Sequence, residues 1–229
     1  MKEVKLKEKK WTNHHAESAW RMFKIIAEFA DGFDRMERFG PCISIFGSAR
    51  TKPENPYYAL TEKIAERLVK EGYGIITGGG PGIMEAGNKG AKKLNGKSVG
   101  LHIQLPKEEG ANQYVDHNRI FTFRYFFARK VMFIKYAQAF VYMPGGFGTM
   151  DELFEVLTLV QTKKISKVPI ILVGKSYWEG LIEWIKDSML AEKNINPADL
   201  NLFHITDSPD EVVKIIKNHY KKSDLSPNF

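Results

Sequence analysis

The second half of the chain contains the stretch 137-AQAFVYMPGGFGTMDELFEVLTLV-160. Its apolar run 137–143 predicts a strand, and the amphipathic run 150–160 predicts a helix. Between them lies a glycine-rich turn. In α/β proteins this strand–turn–helix arrangement holds phosphate, because the unpaired N–H groups of the first helical turn and the helix dipole favour an anion. The stretch therefore predicts an α/β fold with an anion site at its turn.

The same alternation extends over most of the chain. An additional amphipathic helix is expected at 16–39, before the first strand. The alternation predicts a doubly wound, mostly parallel sheet of Rossmann-like topology, with helices on both faces and this extra N-terminal helix. Strands are expected at 42–46, 73–76, 98–103, 138–143, 168–173 and, more weakly, 201–205, and helices at 56–71, 82–94, 124–136, 150–163, 178–192 and 209–220.

Length and segment composition predict the domain limits. The 229 residues suit one α/β domain. We expect a basic tail at 1–12, a single Rossmann-like domain at 13–222 and a C-terminal tail at 223–229. The polar stretch 104–118 reads as a long loop, and long loops in compact domains are often functional.

The charge and cysteine content restrict the partners and the compartment. The net charge is +7, but the lysine-rich ends, 1–10 and 214–229, carry six of those charges. No nucleic-acid partner is expected, since lysine-rich ends are usually solvated tails. The one cysteine, Cys42, cannot form an intrachain disulfide, which fits a reducing cytosol. No stretch approaches the roughly 20 apolar residues of a membrane span, so we expect a cytoplasmic protein without a membrane partner.

Common nucleotide and metal motifs are absent. A G-x-G-x-x-G fingerprint that starts at Gly78 fails at its third glycine, where Ile83 stands. The triplet at 96–98 resembles the end of a Walker motif, but Ala91 occupies the position that this motif reserves for glycine. The histidines show no ligand spacing. We therefore expect no metal and no cofactor.

Two basic residues interrupt an otherwise apolar helix. Arg129 and Lys130 lie in the middle of 124–135. A buried guanidinium must meet an anion or reach solvent, because an unpaired buried charge is very costly. The sequence leaves two interpretations open, a structural ion pair with a core carboxylate or a bound phosphate or carboxylate group.

Two carboxylates near the glycine turns also have two interpretations. Glu152 beside a phosphate is electrostatically unfavourable for binding alone, which suggests a reaction. It also completes a capping box with Thr149, in which each side chain would bond the other's backbone N–H. Glu85, in the first turn of the helix after Gly82, is equally well explained by the helix dipole.

Four motifs in order carry a resemblance to a known family. Residues 144–152 fit the signature P-G-G-x-G-T-x-x-E, and Arg129-Lys130 fit a second motif on the preceding helix. Residues 78–85 and 46–50 fit as well. From about residue 41 to 220 the sequence resembles the LOG ("lonely guy") family, whose members have often been mislabelled lysine decarboxylases. It departs from the plant pattern in the residues 125–128 and in the additional N-terminal helix.

The resemblance implies hydrolysis of the N-glycosidic bond of a purine nucleoside 5′-monophosphate, AMP or a cytokinin riboside 5′-monophosphate, to free base and ribose 5-phosphate. It implies a homodimer or larger homo-oligomer with a site near the subunit interface. Arg129 and Glu152 would be the catalytic pair. The implied substrate-binding residues are Gly145, Gly146, Gly148 and Thr149 at the phosphate, with Lys130 nearby, and Ser48, Gly79, Gly80 and Glu85.

Two other functions are alternatives to this one. A non-catalytic nucleotide-binding or sensing protein could use the same crevice. A pyridoxal-phosphate decarboxylase would need a Schiff-base lysine, and no lysine in the sequence stands out in such a setting.

Overall fold

A computed structural model describes residues 15–104, 110–221 and 224–229, so the predicted basic tail 1–12 lies outside the described residues. The elements alternate as expected. The strands are β1 (Cys42–Phe46), β2 (Gly74–Thr77), β3 (Ser98–Ile103), β4 (Ile120–Phe123), β5 (Ala137–Tyr142), β6 (Ile170–Val173) and β7 (His204–Thr206). The helices are α1 (His15–Met36), α2 (Pro56–Lys70), α3 (Ile83–Lys93), α4 (Phe126–Tyr136), α5 (Phe147–Gln161), α6 (Lys175–Trp184) and α7 (Pro209–His219).

The strands form one sheet in the order β4-β3-β2-β1-β5-β6-β7, and all six neighbouring pairs are parallel. The prediction of a doubly wound, Rossmann-like sheet is confirmed. The strand order runs outward in one direction from β1 to β4 and in the other from β5 to β7. The topological switch point therefore lies between β1 and β5, where ligands bind in such sheets.

Apolar clusters cover both faces of the sheet. On one face, α2, α3 and α7 pack through Leu68, Ile83 and Val212, among others. On the other, α4 and α5 pack through residues such as Phe133 and Val156. Because both faces are covered, β1, β2, β3, β5 and β6 are buried along their whole length. This double covering is why the strands appear in the sequence as continuous apolar runs.

Strand β4 is an edge strand that sequence patterning missed. It has only four residues, and Phe121 and Phe123 are buried while Thr122 is exposed. Helix α1 packs beside it: Arg35 Nη2 donates to the carbonyl oxygen of Ile120 at 3.0 Å, and its guanidinium lies 4.1 Å from the centre of the Phe121 ring. The extra N-terminal helix was correctly expected, and it covers the exposed edge of the sheet.

The described part of the predicted C-terminal tail, 224–229, lies against the end of α4. Asn228 is buried, and Gln138 Nε2 donates to the carbonyl oxygen of Ser226 at 2.8 Å. The domain limits themselves remain a prediction. None of the described helices combines the length and the apolar character that a membrane crossing requires.

Candidate active site

Three turns meet at the switch point. The backbone N–H of Ser48, after β1, donates to the carbonyl oxygen of Pro144, after β5, at 3.0 Å. The carbonyl oxygen of Ser48 accepts from the N–H of Ile83, the first residue of α3, at 3.0 Å. The turns 47–50, 78–82 and 144–146, at the carboxyl ends of β1, β2 and β5, therefore form one connected edge. In the predicted long loop 104–118, residues 105–109 lie outside the described residues.

The turn after β2 depends on glycine. Gly82 has φ +69°, and a Cβ there would overlap the carbonyl oxygen of Ser48. Gly79 has φ +73°, which side-chain-bearing residues rarely adopt. Its backbone N–H donates to Thr77 Oγ1 at 2.9 Å. These contacts fix the path of the predicted substrate-binding residues Gly79 and Gly80.

Asn112, in the loop 104–118, holds this turn from outside, and sequence reasoning did not single it out. Its Nδ2 donates to the carbonyl oxygens of Gly79 and Gly80 at 3.0 and 2.9 Å. The same group lies 3.0 Å from Oδ1 of Asn88, which also accepts from Thr77 at 2.6 Å. Asn112 thus fixes the turn's carbonyl groups, and Asn88 joins Asn112 to Thr77. The expectation that the long loop is functional was the only signal for Asn112.

The turn after β5 leaves open space at two of its glycines. A Cβ on Gly145 would overlap the Thr149 hydroxyl, whereas a Cβ on Gly146 or Gly148 would meet nothing within 4 Å. The Tyr177 hydroxyl donates to the carbonyl oxygen of Gly145. Gly146 and Gly148 are exposed at the start of α5, where an approaching anion would meet the positive end of the helix.

The capping-box interpretation of Glu152 is wrong. Helix α5 begins at Phe147, with Gly146 as its N-cap and no side-chain cap, so Thr149 already lies within the helix. The N–H of Thr149 donates to the carbonyl oxygen of Gly146 at 3.0 Å. Consequently Glu152 lies in the second turn of α5, too far along the helix to accept a hydrogen bond from the N–H of the N-cap residue. The two preceding glycines allow the chain to enter the helix three residues earlier than expected.

Glu152 is a buried acid with a strongly perturbed proton affinity. Its side chain is 4 % exposed, and within the part of the chain that the structure describes its Oε2 has no hydrogen-bond partner. Burial raises its pKa from an ordinary 4.5 to about 7, although the charges of Lys130 and Arg129 act in the opposite direction. A carboxyl group that titrates near neutral pH at a strand-end crevice is a candidate acid–base catalyst.

The two basic residues of α4 reach different partners. Lys130 Nζ lies 2.7 Å from Asp151 Oδ2 and 2.8 Å from Glu155 Oε2, one residue before and three residues after Glu152. Burial lowers the pKa of Lys130, but these two contacts outweigh it and leave the pKa raised. Lys130 is therefore placed in an ion-pair cluster that joins α4 to α5.

Arg129 lies between α4 and the turn after β2. Its guanidinium carbon is 5.1 Å from the centre of the Phe126 ring and 5.7 Å from that of Phe133. A Cβ on Gly78 would be 3.7 Å from its Nη1. Because its charge also acts on Glu152, the predicted catalytic pair lies within one electrostatic cluster.

Glu85 and Ser48 occupy the same edge. Glu85, in the first turn of α3, accepts a hydrogen bond of 2.8 Å from the Tyr58 hydroxyl of α2. Ser48 Oγ accepts from the N–H of Arg50 at 3.1 Å. Their predicted contacts with a substrate remain predictions. Among the described residues, no three His, Cys, Asp or Glu side chains are grouped as a metal site requires.

The fold and the turns at the switch point define a class of protein. It is a Rossmann-like α/β protein with a glycine-rich turn of the kind that binds anions and with a buried acid beside that turn. A family model described as "possible lysine decarboxylase" matches residues 84–216, more than half of the chain. The chain belongs to this family, the LOG family.

Curated relatives support the assignment. An uncharacterized protein of Archaeoglobus fulgidus is 30 % identical over 140 residues, which cover 60 % of this chain and 87 % of that protein. A probable cytokinin riboside 5′-monophosphate phosphoribohydrolase of Oryza sativa subsp. japonica is 26 % identical over 180 residues, covering 75 % and 74 %. A cytokinin riboside 5′-monophosphate phosphoribohydrolase of Mycobacterium marinum is 27 % identical over 143 residues, covering 61 % and 74 %.

Solved structures share the fold. A molybdenum cofactor binding protein from Rippkaea orientalis superposes with a TM-score of 0.56 at 20 % identity, covering 79 % of this chain and 96 % of that one. The molybdenum cofactor carrier protein of Chlamydomonas reinhardtii gives 0.57 at 19 % identity, with 78 % and 97 % covered. At such identities the likeness concerns the fold alone.

Proposed function

We propose that the protein hydrolyses the N-glycosidic bond of a purine nucleoside 5′-monophosphate, AMP or a cytokinin riboside 5′-monophosphate, and releases the free base and ribose 5-phosphate. The observation that carries the proposal is the buried Glu152, with a pKa of about 7, one turn inside a helix that starts at an open glycine turn. The rice and mycobacterial relatives, described as a probable and a cytokinin riboside 5′-monophosphate phosphoribohydrolase respectively, support the choice of reaction.

The proposed reaction needs a group that stabilises positive charge on the ribose. As the bond between C1′ and the base nitrogen breaks, its electron pair goes to the base and the sugar becomes cationic. The Glu152 carboxylate stabilises this cation and takes a proton from the water that attacks C1′. The proton then passes to the departing base, so that one water is consumed for each bond broken.

The other site residues hold the substrate. Gly145, Gly146, Gly148 and Thr149 bind the 5′-phosphate at the start of α5, which fixes the ribose relative to Glu152. Arg129 balances the phosphate charge or orients Glu152. In this proposal Ser48, Gly79, Gly80 and Glu85 contact the remainder of the nucleotide, and Lys130 acts from its ion pairs with α5.

The substitution Glu152→Gln tests this function. Glutamine has the same shape but can neither carry the charge nor take the proton. We expect a folded variant whose kcat for AMP falls by about 10²–10⁴-fold, measured as adenine release by chromatography. Glu183→Gln, on the exposed side of α6, is the matched control and keeps wild-type activity.

Two results would contradict the proposal. Unchanged turnover by Glu152→Gln would show that Glu152 is not a catalytic residue. Tight binding of AMP to the wild type by calorimetry, with no base released from AMP or from a cytokinin riboside monophosphate, would favour the non-catalytic nucleotide-binding alternative.

We also propose that the protein acts as a homodimer or larger homo-oligomer in the cytoplasm. The family resemblance supports the oligomer. Large apolar side chains that α1 leaves exposed, among them Trp20 and Phe23, support it as well. The single cysteine, Cys42, which is buried as a free thiol, supports a reducing compartment.

A further inference from the structure

Helix α4, which carries Arg129 and Lys130, has no side-chain cap of its own at either end. Its N-cap residue, Tyr125, makes no capping hydrogen bond with its side chain. The first N–H groups of a helix need acceptors, and the positive end of its dipole favours a carboxylate. An acceptor at the start of α4 comes from another element of the molecule.

Glu28 of α1 supplies that acceptor. Its Oε1 accepts from the N–H of Arg124 at 2.9 Å, and its Oε2 lies 3.4 Å from the N–H of Tyr125. The carboxylate is nearly 100 residues away in sequence and faces the start of α4. Glu28 therefore binds the N-cap residue of α4 and the residue before it, and fixes the start of α4 from the helix that the plant pattern lacks.

Asn228 performs the matching role at the other end. It is 7 % exposed, and its Nδ2 donates to the carbonyl oxygens of Ile134 and Ala137 at 2.6 and 2.7 Å. Its backbone N–H donates to the carbonyl oxygen of Lys135 at 2.8 Å. These are the carbonyls that the end of a helix leaves unpaired, so Asn228 caps the C-terminal end of α4.

Close packing joins the two helices between these caps. Gly32 of α1 lies so near Met132 of α4 that a Cβ on it would be 2.6 Å from the Met132 methyl group. The Tyr136 hydroxyl donates to the carbonyl oxygen of Phe33 at 3.3 Å. Helix α4 is thus held along its length by α1 and at its end by the segment 224–229.

We propose that Glu28 and Asn228 are positioning residues, which hold α4 at its two ends and so keep Arg129 in register with Glu152. Arg129 is the fourth residue of α4, so a displacement of the start of the helix displaces Arg129 with it. A misplacement of about 1 Å in a catalytic constellation can cost about 10²-fold in rate. The kinetic part of this inference rests on the proposed function, whereas the holding of α4 does not.

Hydrogen exchange tests the holding of α4 without any substrate. In Glu28→Ala we expect the amides of residues 124–130 to exchange at least tenfold faster, while Asn228→Ala accelerates exchange at residues 134–137. Asp31→Asn is the matched control, because Asp31 is an exposed carboxylate of α1 that pairs with Arg35 on the same helix. Unchanged exchange of α4 in both alanine variants would overturn the proposal, whether or not AMP is hydrolysed.

Kinetics then separate positioning from simple stabilisation. We expect Glu28→Ala and Asn228→Ala to lower kcat for AMP by about 10–100-fold at temperatures where both are fully folded, with a smaller change in KM. Glu28→Gln, which keeps an acceptor, restores part of kcat.

The coupling to Arg129 provides the decisive comparison. If Glu28 acts through Arg129, adding Glu28→Ala to Arg129→Ala causes little further loss of kcat, so the two losses are not additive. Additive losses, or a wild-type kcat in Glu28→Ala despite faster exchange, would show that Glu28 is only structural. A wild type that releases no base would instead contradict the proposed function. The hydrogen-exchange result alone would then test whether Glu28 and Asn228 hold α4.

Discussion

The buried Glu152 makes the free energy of unfolding depend on pH. Its pKa is 4.5 as an ordinary side chain and about 7 in the folded chain because burial disfavours the charge. Between these values the folded state binds more protons than the unfolded state. The free energy of unfolding therefore falls as the pH rises through this window, by up to about 3 kcal/mol.

The substitution Glu152→Gln removes this titration. We expect the variant to lose less stability than the wild type between pH 5 and pH 8, measured as the free energy of unfolding in urea at both values. Glu183→Gln keeps the wild-type pH dependence. An unaltered pH dependence in Glu152→Gln would mean that the Glu152 carboxyl group titrates normally in the folded protein.

The charges around Glu152 shift its pKa, and they should therefore shift the pH at which the proposed reaction begins. The positive charge of Lys130 lowers the pKa of Glu152, and the negative charge of Asp151 raises it. If ionised Glu152 is the active form, the acid limb of kcat/KM moves to higher pH in Lys130→Met and to lower pH in Asp151→Asn. Arg129 and Glu155 are the other charged groups that act on Glu152.

Comparing the variants with one another separates the titration of Glu152 from the titration of the substrate. The phosphate group of AMP also titrates near pH 6, but its pKa is the same for every variant. Opposite displacements in Lys130→Met and Asp151→Asn are therefore the diagnostic result. Equal displacements, or none, would mean that Glu152 does not govern the acid limb.

At the scale of elements, the turn between β5 and α5 has no room for a side chain at its first glycine. A methyl group on Gly145 would overlap the Thr149 hydroxyl and come within 3.1 Å of the carbonyl carbon of Gly47. We expect Gly145→Ala to lower the free energy of unfolding by about 1–3 kcal/mol and to reduce AMP hydrolysis, because the start of α5 must shift.

A second glycine serves as the control for this substitution. Gly180 lies in α6, where a Cβ would meet nothing within 4 Å, so Gly180→Ala should raise the free energy of unfolding by about 0.5–1 kcal/mol and leave activity unchanged. Urea unfolding of both variants provides the comparison. Equal stability of Gly145→Ala and the wild type would show that the turn accommodates a methyl group.

The elements that sequence could predict are those whose cause is local. Continuous apolar runs revealed the buried strands, and the glycine-rich turn after β5 indicated where an anion would bind. Strand β4 escaped because four residues at a sheet edge show little pattern. The start of α5 was placed too late, since a capping threonine is a stronger sequence signal than the two glycines before it.

The residues that sequence could not predict act across long separations. Asn112 bonds a turn more than 30 residues away, and Glu28 and Asn228 bond α4 from more than 90 residues away. No periodicity or local motif encodes such contacts, because they exist only after the sheet has formed. The family motifs supplied Arg129, Lys130 and Glu152, whereas only the structure shows Lys130 engaged with α5.

At the scale of the whole molecule, α1 has two apolar sides. One covers β4 and α4, while Trp20, Phe23 and Ile26 are 70 %, 66 % and 55 % exposed. On α4, Phe127 is also half-exposed, and its ring lies 6.4 Å from that of Phe29 of α1. Clustered exposed apolar side chains mark association surfaces, and α1, which carries these, packs beside the helix that carries Arg129.

A second copy of the chain is the occupant we expect for this surface, since the family resemblance implies a homo-oligomer with its site near the subunit interface. Sedimentation velocity at micromolar concentration should show a dimer or larger species for the wild type. Phe23→Glu should shift it toward the monomer, because burying an unpaired charge in an apolar interface is costly. Arg21→Glu, on the same helix, should leave the distribution unchanged. A monomeric wild type at tens of micromolar would contradict the prediction, and an oligomer insensitive to Phe23→Glu would place the interface on another surface.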